Sequence, residues 1–176
     1  MSNFDPFVAA FAAGRAAHRH CWGGNPIRHI SIVDAKPGQS GTIDSDPLLG
    51  DPEIWPSNGR LLIGSDELCE FQAGSVAAEY ARKRDWAAVD RFGIEAFERS
   101  VACENDRDFV RTRLGWFCEV LTDLTTQDIW QSFWSETTAW VNEHCDDIAA
   151  LTQLLLIKGR VEGCQLDEWW HSRMAY

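Results

Sequence analysis

The spacing of apolar residues predicts a chain made mostly of helices. Between Phe4 and Trp22, apolar side chains return every three or four positions, which is the period of one buried helix face. The pair Gly23-Gly24 ends this first helix. Further helices are predicted to begin at the capping residue Ser65 and then to cover Asp85 to Ala102, Glu104 to Leu121, Thr126 to His144 and Cys145 to Lys158, with a short helix near the C-terminus.

One stretch of the chain favours β-structure instead. The segment "NPIRHISIVDA" is rich in β-branched residues, and the turn "KPGQSG" and a short "GTI" follow it. We therefore predict a small β-sheet near residues 27–44. Residues 44–64 hold three of the six prolines and are predicted to form an irregular loop, whereas "GRVEG" near the C-terminus predicts only a helix end. The expected fold is a predominantly α-helical α+β domain that spans residues 1–176.

Composition and charge restrict the classes of function. The net charge is -11 and no long run of Lys and Arg occurs, which disfavours binding to nucleic acid or to an anionic membrane. No apolar run is long enough to span a bilayer, and the first residues lack the positive charge of a secretory signal, so we expect a cytoplasmic protein. The six cysteines include no CxxC pair and are expected to be mostly buried thiols. Trp130, Trp134 and Trp140 are expected to pack between helices.

Four segments, taken in order, resemble the peptidase domain of FtsH-type ATP-dependent zinc metalloproteases. "GRAAHRHCW" stands where that family has its HEAGH helix, and "IRHISIVDAKPGQSGTI" resembles the strand and glycine turn that follow. "FQAGSVAAEYA" resembles the family's helix of small residues, and "ACENDRDFVRTRL" resembles the segment with the third zinc ligand. The resemblance covers Phe7 to Leu114 and implies a zinc-metallopeptidase-like helical domain, followed here by Trp-rich helices over residues 126–171.

The resemblance also implies a degenerate zinc site. Gly14 stands at the position of the first ligand histidine and Arg15 at that of the catalytic glutamate, whereas His18 and Asp106 keep the second and third ligands. A zincin needs the missing imidazole to hold the metal and the missing carboxylate to activate its water. We therefore expect no bound cofactor and no catalytic residue. We also expect Arg15 to supply the missing positive charge by pairing with Asp106, directly or through one water.

Two alternatives to this vestigial site follow from the same residues. Cys21 and Cys103 lie three positions from His18 and Asp106, respectively, so a rebuilt Cys and His zinc site is one alternative. An ordinary histidine at a helix end is the other interpretation of His18. If His18 and Asp106 still face one cleft, changing Gly14→His together with Arg15→Glu is expected to raise zinc affinity.

The predicted function is that of a soluble pseudopeptidase that binds a partner. We expect this partner to be a protein that contacts the proline-rich loop and the Trp-rich C-terminal helices. A working zinc metallopeptidase with an atypical ligand set is the first alternative, and an unrelated helical protein is the second.

Overall fold

A computed structural model describes residues 4–22, 26–36, 39, 41–45, 56–90, 94, 97–98 and 104–174. In these ranges the helices are α1 (Pro6–Cys21), α2 (Ser57–Lys83), α3 (Trp86–Asp90), α4 (Glu104–Val120), α5 (Thr126–Glu143), α6 (Cys145–Lys158) and α7 (Gly163–Met174), and the strands are β1 (Ile27–Ser31), β2 (Thr42–Ser45) and β3 (Arg160–Glu162). The predominantly α-helical α+β class is confirmed. No helix in the described ranges has the length and apolar character needed to cross a membrane.

Helix α1 is buried on nearly all sides and forms the centre of the fold. Its N-terminus is fixed by Asp5, whose carboxylate accepts a hydrogen bond from the backbone N–H of Phe7 at 2.8 Å, and Pro6 occupies the first turn. The helix packs mainly against α2 and α6. A run of buried alanines on α1 lets these neighbours approach closely.

The crossing of α1 and α2 depends on two glycines. A Cβ atom added at Gly14 would lie 2.5 Å from the carbonyl oxygen of Ala73 and 2.8 Å from the Cβ of Ala77. A Cβ atom at Gly74 would lie 2.8 Å from the carbonyl oxygen of Phe11. The two helix backbones therefore approach so closely that neither position has room for a side chain.

Helix α2 begins earlier than the sequence indicates. It starts at Ser57, inside the segment predicted as an irregular loop, and the predicted cap residue Ser65 instead donates its hydroxyl to the carbonyl of Leu62 at 2.7 Å. Gly64 lies against the rings of Trp116 and Phe117 on α4. The first residues of α2 have a low intrinsic helix propensity, and packing against α4 stabilises the helix there. The predicted loop residues 46–55 lie outside the described residues.

A three-stranded antiparallel sheet in the order β2-β1-β3 packs against α1 and α7. The predicted sheet near residues 27–44 is confirmed by the pairing of β1 with β2, in which Ile30 faces Ile43. The prediction that "GRVEG" only ends a helix is wrong, because Arg160–Glu162 also forms β3 and places Val161 opposite Ile30. A three-residue strand is too short to show an alternating pattern in the sequence.

None of the cysteines that the structure describes is fully buried, contrary to the prediction. Among the five that the structure describes, Cys21 and Cys164 are exposed and Cys69, Cys118 and Cys145 are half-buried. Four of these five lie at or near helix ends. By contrast, Trp130 and Trp134 are buried between helices, as predicted.

Candidate functional site

A buried carboxylate joins α1 to α2 at the position where the sequence predicts a vestigial metal site. Glu70 on α2 is 3% exposed. Each of its two carboxylate oxygens contacts two nitrogen atoms of one arginine on α1. Arg15 contacts Oε1 through Nε at 2.9 Å and Nη2 at 2.8 Å. Arg19 contacts Oε2 through Nε at 2.7 Å and Nη2 at 2.6 Å. We call these three side chains, Glu70, Arg15 and Arg19, the Glu70 clamp.

The clamp is held by further contacts on both sides. The guanidinium carbon of Arg15 lies 4.0 Å from the centroid of the Phe71 ring, a cation–π contact. Nη1 of Arg19 donates to the hydroxyl of Ser45 on β2 at 2.7 Å. The clamp therefore connects α1, α2 and the sheet. Its two guanidinium groups and single carboxylate together carry a net charge of +1.

The direct pair predicted between Arg15 and Asp106 is wrong, since Arg15 binds Glu70. Asp106 lies half-buried in the first turn of α4, and its Oδ2 atom is buried without a hydrogen-bond partner in the described structure. Sequence reasoning misses Glu70 because this residue stands just before "FQAGSVAAEYA", outside the segments that carry the resemblance. The signal that could have found it is the spacing of Arg15 and Arg19, which places two cations on one face of a buried helix and requires a buried anion opposite.

His18, the predicted relic ligand, is buried between aromatic rings. Its ring centroid lies 5.1 Å from that of Trp140 in an edge-to-face arrangement and 5.8 Å from that of Trp22 in a stacked one. Burial lowers the pKa of His18 to about 4, and the negative charge of Glu70 opposes that shift only in part. His18 is therefore neutral at pH 7.

Four of the chain's five histidines gather at the end of the fold where α1, α5 and α7 meet. The ring contacts there run through His18, Trp140, His144, Trp170, His20 and His171, with centroid distances of 4.4–6.5 Å. The Nδ1–H group of His144 donates to the carbonyl of Trp140 at 2.9 Å. Desolvation lowers the pKa of His20 as well, against the opposing charge of Asp167. Burial among these aromatic rings thus lowers the pKa of both His18 and His20.

Positions 14 and 15 do not fit the histidine ligand and the glutamate that a zincin has there. Gly14 has no room for the missing imidazole, and the guanidinium group of Arg15 is bound to Glu70. Among the described residues, no group of three or more His, Cys, Asp and Glu side chains is arranged to hold a metal ion. Desolvation, and then the charge of Asp147, raise the pKa of the Cys21 thiol to about 11, which disfavours the thiolate that binds zinc. Cys103 lies outside the described residues.

The structure describes only part of the surfaces predicted to contact a partner. Trp130 and Trp134 are fully buried, in line with their predicted packing between helices, so these two rings do not contribute to a contact surface. The central part of the proline-rich loop, residues 46–55, lies outside the described residues.

The chain matches no family model and no curated protein. Its function is therefore argued from its own residues.

The buried His18 predicts a loss of stability in mild acid. In the unfolded chain His18 takes up a proton below pH 6.5, whereas in the folded chain it does so only near pH 4. Its contribution is therefore fully present above pH 6.5 and lost as the pH falls toward 4, by about 3 kcal/mol from this group alone. Urea unfolding at a series of pH values measures this slope.

The test variant is His18→Gln, which removes the buried imidazole. The His18→Gln protein should show a flatter dependence of unfolding free energy on pH than the parent. Equal slopes in the parent and in His18→Gln would contradict the assignment.

Proposed function

We propose that this chain is a non-catalytic binding protein in which an ion-pair cluster takes the structural place of a metal. The Glu70 clamp carries the proposal, because it commits Arg15 and Arg19 to a buried carboxylate and ties α1 to α2. A zinc ion performs the same task in a metallopeptidase by joining ligands from different elements. In this chain the two guanidinium groups disfavour a dication at that position.

We further propose that the chain is a degenerate relative of the FtsH-type peptidase domains. The order of α1, the β1–β2 hairpin, α2 and the helix that bears Asp106 is the order which the resemblance implies, and this supports the proposal. A protein is the partner we propose, since a net charge of -11 disfavours nucleic acid. The free thiols of the five described cysteines support a reducing compartment, the cytoplasm.

One observation favours the competing function, a zinc metallopeptidase with an atypical ligand set. Oδ2 of Asp106 is buried without a hydrogen-bond partner among the described residues, and a carboxylate oxygen that binds a cation would have this environment in the metal-free chain. Whether this oxygen binds a metal ion therefore distinguishes the two functions.

A metal and hydrolysis assay tests the proposal. Protein purified without added metal, and protein dialysed against zinc and then against buffer, is expected to contain no stoichiometric zinc. It is also expected to cleave an unfolded protein substrate no faster than a blank, with or without a chelator, because Arg15 stands at the position of the missing glutamate and cannot act as a general base.

The control compares Asp106→Asn with Asp108→Asn, a change at an exposed carboxylate in the same turn of α4. One zinc per chain, together with chelator-sensitive cleavage that Asp106→Asn removes and Asp108→Asn does not, would establish the peptidase instead.

A further inference from the structure

A groove that takes no part in the Glu70 clamp lies between α3 and α5. Its volume is about 420 Å³, within the range of about 300–1,000 Å³ that is typical of small-molecule sites. The side chains that shape it are Trp86 from α3 and Gln131, Trp134, Ser135, Thr138 and Asn142 from α5. The α5 residues are spaced three or four positions apart and therefore share one face of that helix.

Thr138 in this groove has a hydroxyl without a hydrogen-bond partner in the described structure. The residue is only 8% exposed, and its Oγ1 atom is buried. Other buried hydroxyls on the helices are bonded: Ser75 donates to the carbonyl of Phe71 at 2.9 Å, and Thr152 donates to that of Ile148 at 2.7 Å. A threonine in a helix has two accessible χ1 rotamers, so the Thr138 hydroxyl can turn toward a ligand. An unpartnered buried hydroxyl that lines a groove indicates a missing polar partner.

The chemistry of the groove indicates which ligand it accepts. None of its described lining residues is charged, although the chain as a whole carries a net charge of -11. Amide and hydroxyl side chains both donate and accept hydrogen bonds, and so do the hydroxyl groups of a sugar. A phosphate or a carboxylate would need a cation that these residues do not provide.

The aromatic residues add an apolar surface beside these polar groups. Trp86 is held in place by stacking on Tyr80, with centroids 4.1 Å apart and planes inclined by 17°. An indole that is already fixed loses little conformational entropy when a ligand binds. Its flat apolar face can pack against the C–H face of a pyranose. Neutral polar groups along one helix face, with the Trp86 indole beside them, therefore match a ligand that is apolar on one side and rich in hydroxyls at its edge.

We propose that the groove of Trp86, Gln131, Thr138 and Asn142 binds a neutral saccharide of one or two rings. The Thr138 hydroxyl and the two amide side chains bond the sugar hydroxyls, and the sugar ring packs against Trp86. The site is separate from the Glu70 clamp, so its occupancy does not depend on whether the chain ever bound zinc.

Calorimetric titration with a panel of neutral sugars tests this site. The panel is glucose, galactose, mannose, N-acetylglucosamine, maltose and cellobiose, with adenosine and uridine as planar competitors of another class. At least one sugar is expected to bind at millimolar concentration or below. The Thr138→Val protein is expected to bind that sugar roughly three- to tenfold more weakly, the effect of one hydrogen bond.

Two matched controls separate binding from folding. Thr152→Val removes a buried hydroxyl outside the groove, and Gln153→Ala removes an exposed amide on α6, so both should leave sugar affinity unchanged. Gln131→Ala removes an exposed amide within the groove and should weaken binding without a change in melting temperature. Thr138→Val should keep or raise the melting temperature, because its hydroxyl loses no bond.

The proposal fails if no sugar binds, if only the nucleosides bind, or if sugar binding is unaffected in both Thr138→Val and Gln131→Ala. Because Gln131 is exposed, its variant still gives an answer if Thr138→Val does not fold.

Discussion

Replacing Glu70 with alanine is expected to lower the free energy of unfolding by about 3 kcal/mol, the range for removing one partner of a buried ion pair. The change leaves Arg15 and Arg19 facing each other without their shared anion, on side chains that are only 11% and 18% exposed. Both guanidinium groups would have to reach water or repel each other. Chemical unfolding followed by tryptophan fluorescence measures the loss.

An exposed ion pair provides the control for this prediction. Glu162 pairs with Arg160 on β3, where both side chains are about half exposed. Glu162→Ala is therefore expected to leave the unfolding free energy nearly unchanged, because water screens an exposed ion pair. If Glu70→Ala also changes it by so little, the clamp does not hold α1 to α2 as we infer.

Replacing Gly14 with alanine is expected to destabilise the fold by about 2–3 kcal/mol, the upper part of the range for overpacking a core. The new methyl group would meet the backbone oxygen of Ala73 at 2.5 Å, and a backbone atom cannot move aside as a flexible side chain can. The helices α1 and α2 would have to separate and give up contacts along their whole crossing.

Gly115→Ala is the matched control, because Gly115 also lies within a helix, α4, but no described atom lies within 4 Å of its added Cβ. That change is expected to stabilise the protein by roughly 0.5–1 kcal/mol through helix propensity alone. A Gly14→Ala protein as stable as Gly115→Ala would contradict the close crossing.

The close crossing also changes what we expect from restoring a zinc motif. The sequence predicts that Gly14→His with Arg15→Glu raises zinc affinity. With Ala73 and Ala77 against position 14, a histidine there cannot be accommodated, and a glutamate at position 15 would face Glu70. We now expect this double variant to disrupt the α1–α2 contact and to bind no more zinc than the parent.

Local signals account for the elements that the sequence predicts well. Helix α6 has the predicted bounds, Cys145–Lys158, because Gly159 adopts the left-handed conformation that ends it. Helix α5 follows a capping box in which Thr125 and Asp128 bond each other's backbone N–H groups. Caps and apolar periodicity act over a few residues, so these bounds can be derived without knowing what packs against the helices.

The sequence by itself also determined that the chain is mostly helical and that one hairpin follows the first helix. It also placed Arg15 and His18 on that first helix as candidate site residues. Only the tertiary structure decided that Glu70 is the anion of Arg15, that Ser57 begins α2, and that Arg160–Glu162 completes the sheet. The physical reason is the same in each case. These features depend on contacts between residues far apart in the chain, and neither a residue's own propensity nor the spacing of its neighbours specifies which distant side chain will meet it.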